Sequence, residues 1–163
     1  MIATDSTIDP VVLARRAEEL GFNSFWAPEQ LAVPVQMKTG WRRIPGEPFP
    51  DEYHKIMDPF IILAGVSAAT STIRLGTGVC QVPHRHPLLL GKEVATLDFM
   101  SRGRLSFGIG AAWLREESEL IGVDFDRRWS ITTESILAMK EIWTEDEAEF
   151  HGHHFDFPAV RPH

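Results

Sequence analysis

The stretch that decides the fold is Ile73-Arg74-Leu75-Gly76-Thr77-Gly78-Val79-Cys80-Gln81-Val82, followed one helical pattern later by Arg104-Leu105-Ser106-Phe107-Gly108-Ile109-Gly110. Both runs are apolar and short, as buried strands are. Their starts are about one βαβ unit apart along the chain. We therefore expect two parallel strands, over 73–82 and 104–110, joined by a helix.

Three helix starts are predicted by a capping residue followed by proline. Asp9-Pro10, Asp58-Pro59 and His86-Pro87 each place a capping side chain before a proline that fits the first helical turn. The aromatic run before Pro28 predicts a further buried strand over 23–28. A helical stretch from Trp129 to Trp143 precedes a tail that alternates around Gly152 and predicts a hairpin. This order of helices and strands predicts an α/β fold with a parallel sheet.

Composition restricts the class of protein. The chain has 163 residues, a formal net charge of −7 and one cysteine, Cys80. An acidic chain with scattered basic residues argues against nucleic acid or an anionic membrane as partner, and no apolar run reaches the roughly 18 residues of a membrane span. A single cysteine excludes an intrachain disulfide and fits a reducing, cytoplasmic setting. We expect a small-molecule substrate.

A long connection over 30–57 interrupts the pattern. It contains Pro34, Pro45, Pro48 and Pro50. Loops of this length inside a compact domain are uncommon and often serve as functional lids.

Four segments in a fixed order carry a family resemblance. They are Ala17 to Glu29, Asp58 to Val79, Arg85 to Asp98, and Ser101 to Gly110 with Trp113 and Glu116-Glu117 after it. Together they resemble the signatures of the bacterial-luciferase-like family, which builds a (β/α)₈ TIM barrel. The resemblance implies a single luciferase-like domain over 1–163 that is a partial barrel, about half complete. It also implies that the family's first strand and C-terminal half are missing from this sequence.

The resemblance also implies a function. The long connection and the tail from Trp143 to Ala148 most resemble the branch that uses coenzyme F420. We therefore expect an F420-dependent oxidoreductase that transfers hydride between the deazaflavin and an organic substrate. An FMN-dependent monooxygenase acting with O₂ and a non-catalytic half-barrel are the alternatives. Phosphate-binding loops usually follow strands seven and eight of such barrels. Because the resemblance implies that these strands are absent from this sequence, we expect this chain to bind the cofactor weakly. The incomplete barrel would also have open strand edges, which favour a homo-oligomer.

Strand ends supply the candidate site, because catalytic groups of these barrels lie at the carboxyl ends of strands. Glu29 and Gln30 follow the first predicted strand, and the family places an acidic residue at the first of these positions, near the cofactor. Histidine commonly follows it, so Gln30 is a departure that cannot titrate. A solvent-exposed Glu29 is the alternative. Gly78 and Val79 match the position where the family has a cis peptide beneath the cofactor ring, against a plain bulge as alternative. Gln81 points to the same end.

The third predicted strand ends in small residues that let a ligand approach the backbone. Gly110, Ala111 and Trp113 match the turn that lines the cofactor in the family; tight strand–helix packing is the alternative. The tail histidines carry no acidic or cysteine partner at metal-ligand spacing, although His151 and His153 would share one strand face. We therefore expect no metal site.

Overall fold

The computed structural model describes residues 4–39 and 49–162. In chain order the helices and strands are α1 (Pro10–Glu19), β1 (Ser24–Ala27), α2 (Pro59–Ala69), β2 (Arg74–Thr77), β3 (Cys80–Gln81), α3 (Pro87–Ser101), β4 (Leu105–Ser106), β5 (Ile109–Gly110), α4 (Arg115–Leu120), α5 (Arg128–Thr144), β6 (Ala148–His151) and β7 (Asp156–Val160). Short 3₁₀ helices lie at Asp51–Lys55, Val82–His84 and Phe125–Arg127. Part of the predicted connection over 30–57, from 40 to 48, lies outside the described residues.

The predicted helix starts are confirmed. The Asp9 carboxylate accepts the N–H of Val11 at 2.7 Å, and the Asp58 carboxylate accepts the N–H of Ile61 at 3.0 Å. These bonds satisfy backbone donors that have no partner within the helix. Gly21 follows the end of α1 with φ +80°, a conformation that glycine adopts without steric cost.

The three predicted strands pair in parallel, as expected. β1, β2 and β4 form one sheet in that order, and β3 pairs with β5. The prediction of single strands over 73–82 and 104–110 is wrong, because each run is divided into two short strands. The Gly108 carbonyl accepts both the Cys80 N–H at 2.8 Å and the Thr77 hydroxyl at 2.7 Å, so the backbone turns between the strands.

In the part of the chain that the structure describes, helices cover one face of the sheet. Side chains alternate along a strand, and Phe25 and Leu75 pack with the apolar core formed with α1, α2 and α3. On the opposite face Trp26 is 47% exposed, with its ring lying over Gly76. The architecture is a parallel α/β half-barrel, and within the described residues the sheet does not close into a barrel.

The predicted tail hairpin is present, as antiparallel β6 and β7. β6 ends at His151, so His153 lies in the turn and the two histidines do not share a strand face. The His151 ring is 2.6 Å from the Asp156 carboxylate. In the described part of the chain, no group of three or more His, Cys, Asp or Glu side chains is arranged so that it could bind a metal ion. No helix in these ranges is long and apolar enough to cross a membrane.

Glu18 joins α1 to the turn before β2. Its carboxylate accepts the backbone N–H groups of Ser71 at 2.9 Å, Thr72 at 2.6 Å and Ile73 at 2.9 Å. The bonds from Thr72 and Ile73 lower the pKa of Glu18 from 4.5 to about 2. A carboxyl group whose pKa is lowered by folding stabilises the fold above its unfolded pKa, and this contribution is lost as the pH falls through the folded value.

We expect Glu18→Gln to lower the melting temperature at pH 7 by roughly 3 °C. The side chain is partly exposed, so its charge-assisted bonds contribute about 1 kcal/mol here rather than their full strength. The difference should shrink as the pH falls from 4.5 towards 2. Thermal unfolding followed by circular dichroism at both ends of this range measures it. The neighbouring exposed Glu19→Gln is the control, and an equal loss at both pH values would contradict the assignment.

Candidate functional site

A cavity of about 420 Å³ lies at the carboxyl ends of the parallel strands. The side chains and backbone around it come from the ends of β1, β3 and β5 and from the returning limb of the long connection. They are Pro28, Glu29, Gln30, Tyr53, Ile56, Gly78, Val79, Gln81, Gly110, Ala111, Ala112 and Trp113. All eight residues predicted for the site are among them. The structure thus brings them together, while their roles toward a ligand stay predictions.

The break between β2 and β3 forms one wall of the cavity. The Gly78–Val79 peptide is cis, as the resemblance implies. Gly78 donates its N–H to the Ala27 carbonyl at 2.8 Å, and the Val79 side chain is 45% exposed. A Cβ atom on Gly110 would lie 2.7 Å from the Val79 Cγ2 atom, so glycine permits this close approach.

The side chain of Glu29 is buried, so the alternative of a solvent-exposed Glu29 is wrong. Its side chain is 5% exposed and forms an ion pair with Arg85. The second carboxylate oxygen accepts the Gln81 N–H at 2.5 Å. Arg85 also approaches Asp58 at 3.2 Å and Glu93 at 3.4 Å. The network ties the end of β1 to the end of β3 and to α3.

Cys80 lies beside this network. The residue is fully buried, and its sulfur is 3.9 Å from the Arg85 Nη1 atom. Burial raises the pKa of the thiol far above its usual range, and the charge of Glu29 acts in the same direction. Cys80 is therefore an uncharged thiol that packs as a small apolar side chain.

A buried carboxylate, Glu117, lies behind the cavity. It is 0% exposed and accepts hydrogen bonds from Gln30 Nε2 at 2.7 Å and Gln81 Nε2 at 3.3 Å. It also accepts the N–H groups of Leu31 at 2.7 Å and Ala32 at 2.9 Å. Burial raises the pKa of Glu117, and the bonds from Ala32 and Leu31 oppose that shift.

The long connection borders the cavity on both of its limbs. Gln30 accepts a hydrogen bond from the Trp113 indole N–H at 3.2 Å. The Phe49 ring stacks on the Trp113 ring with 5.8 Å between centroids, and Tyr53 and Ile56 line the cavity. Both described limbs of the connection thus lie beside the cavity, and a role of the connection as a lid stays a prediction.

Sequence reasoning gave no role to Arg85 or Glu117. Both lie inside the segments that carry the resemblance, but Arg85 is 56 residues from Glu29 and Glu117 is 87 residues from Gln30. Neither residue stands directly after a strand, since Arg85 lies four residues beyond β3 and Glu117 lies seven residues beyond β5. No local pattern in the sequence identifies their distant partners.

Fold and cavity together define the class: a parallel α/β half-barrel whose ligand cavity lies at the carboxyl ends of the strands. The family model described as luciferase-like monooxygenase matches residues 6–163. The chain belongs to the luciferase-like monooxygenase family.

Individual relatives agree with this family. An uncharacterized protein of Mycobacterium tuberculosis is 36% identical over 171 residues, which span all of this chain and 61% of the relative. The F420-dependent hydroxymycolic acid dehydrogenase of the same organism is 28% identical over 163 residues, or 93% of this chain and 41% of that protein. The chain therefore spans about three fifths or less of the length of these relatives.

A solved structure shows the same architecture. The monooxygenase RslO1 from Streptomyces bottropensis superposes with a TM-score of 0.76 and is 29% identical. The superposition covers 95% of this chain and 44% of that protein. The half-barrel thus corresponds to a part of a longer barrel chain.

Proposed function

We propose that this chain forms the ring-binding part of a luciferase-like oxidoreductase that uses coenzyme F420. The reaction would transfer hydride between the deazaflavin and a small organic substrate. The observation that carries the proposal is the convergence of three strand ends on one cavity, with the Gly78–Val79 peptide in its wall.

The cavity suits a flat heterocyclic ring. Its volume of about 420 Å³ falls within the range of small-molecule sites. Val79, Ala111 and Ile56 provide apolar surface that excludes water, and Gln81 provides a polar group that can orient a ring edge. When bound, the cofactor supplies the two-electron chemistry, while the protein binds and orients it. Glu29, held by Arg85, fixes the backbone of Gln81 at the cavity edge.

Support for F420 over FMN comes from the resemblance of the long connection and the tail, and from the F420-dependent dehydrogenase among the relatives. The second candidate is an FMN-dependent monooxygenase. The likeness to RslO1, which is a monooxygenase, supports the monooxygenase part of this candidate. The third is a non-catalytic half-barrel. It predicts that no flavin or deazaflavin ring binds at all.

A titration distinguishes these candidates. No Lys or Arg lines the cavity in the described ranges, so a phosphate gains no charge-assisted contact there. Two missing contacts of about 1.5 kcal/mol each weaken micromolar binding to a Kd on the order of 100 µM. We expect FMN and riboflavin to bind within about threefold of each other, and F420 to bind more tightly than either. Ligand fluorescence measures all three.

A pair of valine variants controls for the place of binding. Val79→Glu puts a charge into the cavity wall and should abolish binding, whereas Val35→Glu changes a fully exposed valine outside the cavity and should not. Tight FMN binding, or a tenfold preference for FMN over riboflavin, would show that the chain has a phosphate site and would contradict this expectation. Absence of binding by all three ligands at millimolar concentration would favour the non-catalytic half-barrel.

A further inference from the structure

The cavity wall contains two glutamine amides whose orientation is set from behind. Glu117 lies in the first turn of α4. Four N–H donors surround its carboxylate: Gln30 Nε2, Gln81 Nε2, Leu31 N and Ala32 N. The backbone N–H groups of Leu31 and Ala32 stabilise the ionised form of Glu117 against the effect of burial, and an ionised carboxylate only accepts hydrogen bonds. Both glutamines must therefore turn their NH₂ groups toward Glu117 and their oxygens away from it.

The second contacts of the amides agree with this orientation. Gln30 Oε1 accepts the Trp113 indole N–H at 3.2 Å, and an indole only donates. Gln81 Nε2 lies 3.5 Å from the Glu29 carbonyl oxygen, which only accepts. Exchanging oxygen and nitrogen in either amide would set donor against donor or acceptor against acceptor.

One atom of this arrangement has no hydrogen-bond partner among the described residues. Gln81 Oε1 is buried and accepts no hydrogen bond, in a residue that is 3% exposed and lines the cavity. A buried acceptor without a donor is unfavourable, so native proteins nearly always provide one. Gln81 cannot satisfy this oxygen by turning its amide, because the turn would break the hydrogen bond from Gln81 Nε2 to Glu117 and leave the carboxylate facing an oxygen.

We infer that Glu117 is a positioning residue that locks the Gln30 and Gln81 amides, and that the cavity takes a ligand whose edge donates an N–H or O–H to Gln81 Oε1. The second clause rests on the proposed function, because it assumes that the cavity holds a ligand. It narrows the ligand to cyclic imides, amides or hydroxyl-bearing rings. A ring edge that presents only acceptors is disfavoured.

The orientation clause is tested without any ligand. In ¹⁵N-labelled protein, side-chain amide signals assigned through Gln30→Met and Gln81→Met should lie downfield of free glutamine, because both donate to a carboxylate. Glu117→Gln should move the Gln81 signals upfield as its amide turns. Glu116→Gln should not, since the neighbouring Glu116 binds the backbone of Lys38 and Thr39 instead. Random-coil shifts for Gln81 in the wild-type chain would overturn the clause even if Glu117→Gln does not fold.

The ligand clause is tested with lumiflavin, which carries one imide N–H, and with its N3-methyl derivative, which lacks that donor. We expect the wild-type chain to bind the methyl derivative about tenfold more weakly. Gln81→Met and Glu117→Gln should each bind the two probes equally. Equal binding of the two probes by the wild-type chain would overturn the clause, even if a water molecule donates to Gln81 Oε1. Failure of both probes to bind would contradict the proposed function, while the amide signals still report on Glu117.

Discussion

Replacing Arg85 with leucine is expected to lower the free energy of unfolding by about 3–5 kcal/mol, which is the cost of removing one partner from a buried ion pair. The Glu29 side chain is 5% exposed and the Arg85 side chain 16% exposed, so water cannot replace the lost contact. Asp58 and Glu93 then face Glu29 without the cation that separates their charges. The loss should also loosen the cavity edge, because Glu29 holds the Gln81 N–H.

Urea unfolding followed by circular dichroism gives this free energy. The matched control is Arg16→Leu, which removes an arginine from an ion pair with Glu19 whose side chains are 64% and 58% exposed. Exposed pairs contribute little, so the control should cost less than about 1 kcal/mol. Equal losses in the two variants would show that the Arg85 network is as solvated as the surface pair.

Gly108→Ala should cost about 3 kcal/mol of folding free energy, as overpacking of a close backbone contact does. A Cβ atom on Gly108 would lie far inside the contact distance of the Thr77 carbonyl oxygen, and a backbone atom cannot move aside as a side chain does. The Gly108 carbonyl oxygen also accepts hydrogen bonds from the Cys80 N–H and the Thr77 hydroxyl. A shift there therefore disturbs both the β2 and β3 ends of the cavity wall.

Gly91→Ala is the control for this variant. Gly91 is also buried, but it lies within α3, and an added Cβ would meet Ile142 and Met139 at ordinary distances of 3.5–3.6 Å. Alanine is preferred to glycine inside helices, so this variant should be neutral or more stable by up to about 1 kcal/mol. Thermal unfolding compares the two variants, and a stable Gly108→Ala would show that the turn between β4 and β5 can open.

Local signals made the helix starts predictable from sequence. A capping carboxylate and the proline after it act within one turn, so Asp9-Pro10 and Asp58-Pro59 predicted the starts of α1 and α2 correctly. The glycines of the 73–82 run likewise predicted an irregular backbone at Gly78. The division of that run into β2 and β3 depends on Gly108, in another strand, and no local pattern encodes that partner.

The same distinction holds for the candidate site. Placement at strand ends predicted that Glu29, Gln30, Gln81 and Trp113 would approach one cavity, since the ends of parallel strands meet at one edge. The Glu29–Arg85 pair depends on tertiary packing between positions 56 residues apart. It places the Glu29 carboxylate in a buried ionic network, while the role of Glu29 toward a ligand stays a prediction.

The contact between Glu117 and the start of the long connection also has a consequence for the order of events during synthesis. Gln30, Leu31 and Ala32 leave the ribosome 85 to 87 residues before the carboxylate that binds them. Until α4 has emerged, their N–H donors have no such acceptor, and contacts of large sequence separation form late in folding. The cavity is therefore completed late in synthesis. β1 and β2 can pair on the nascent chain, while Gln30 and Gln81 acquire their orientation only after translation has passed position 117.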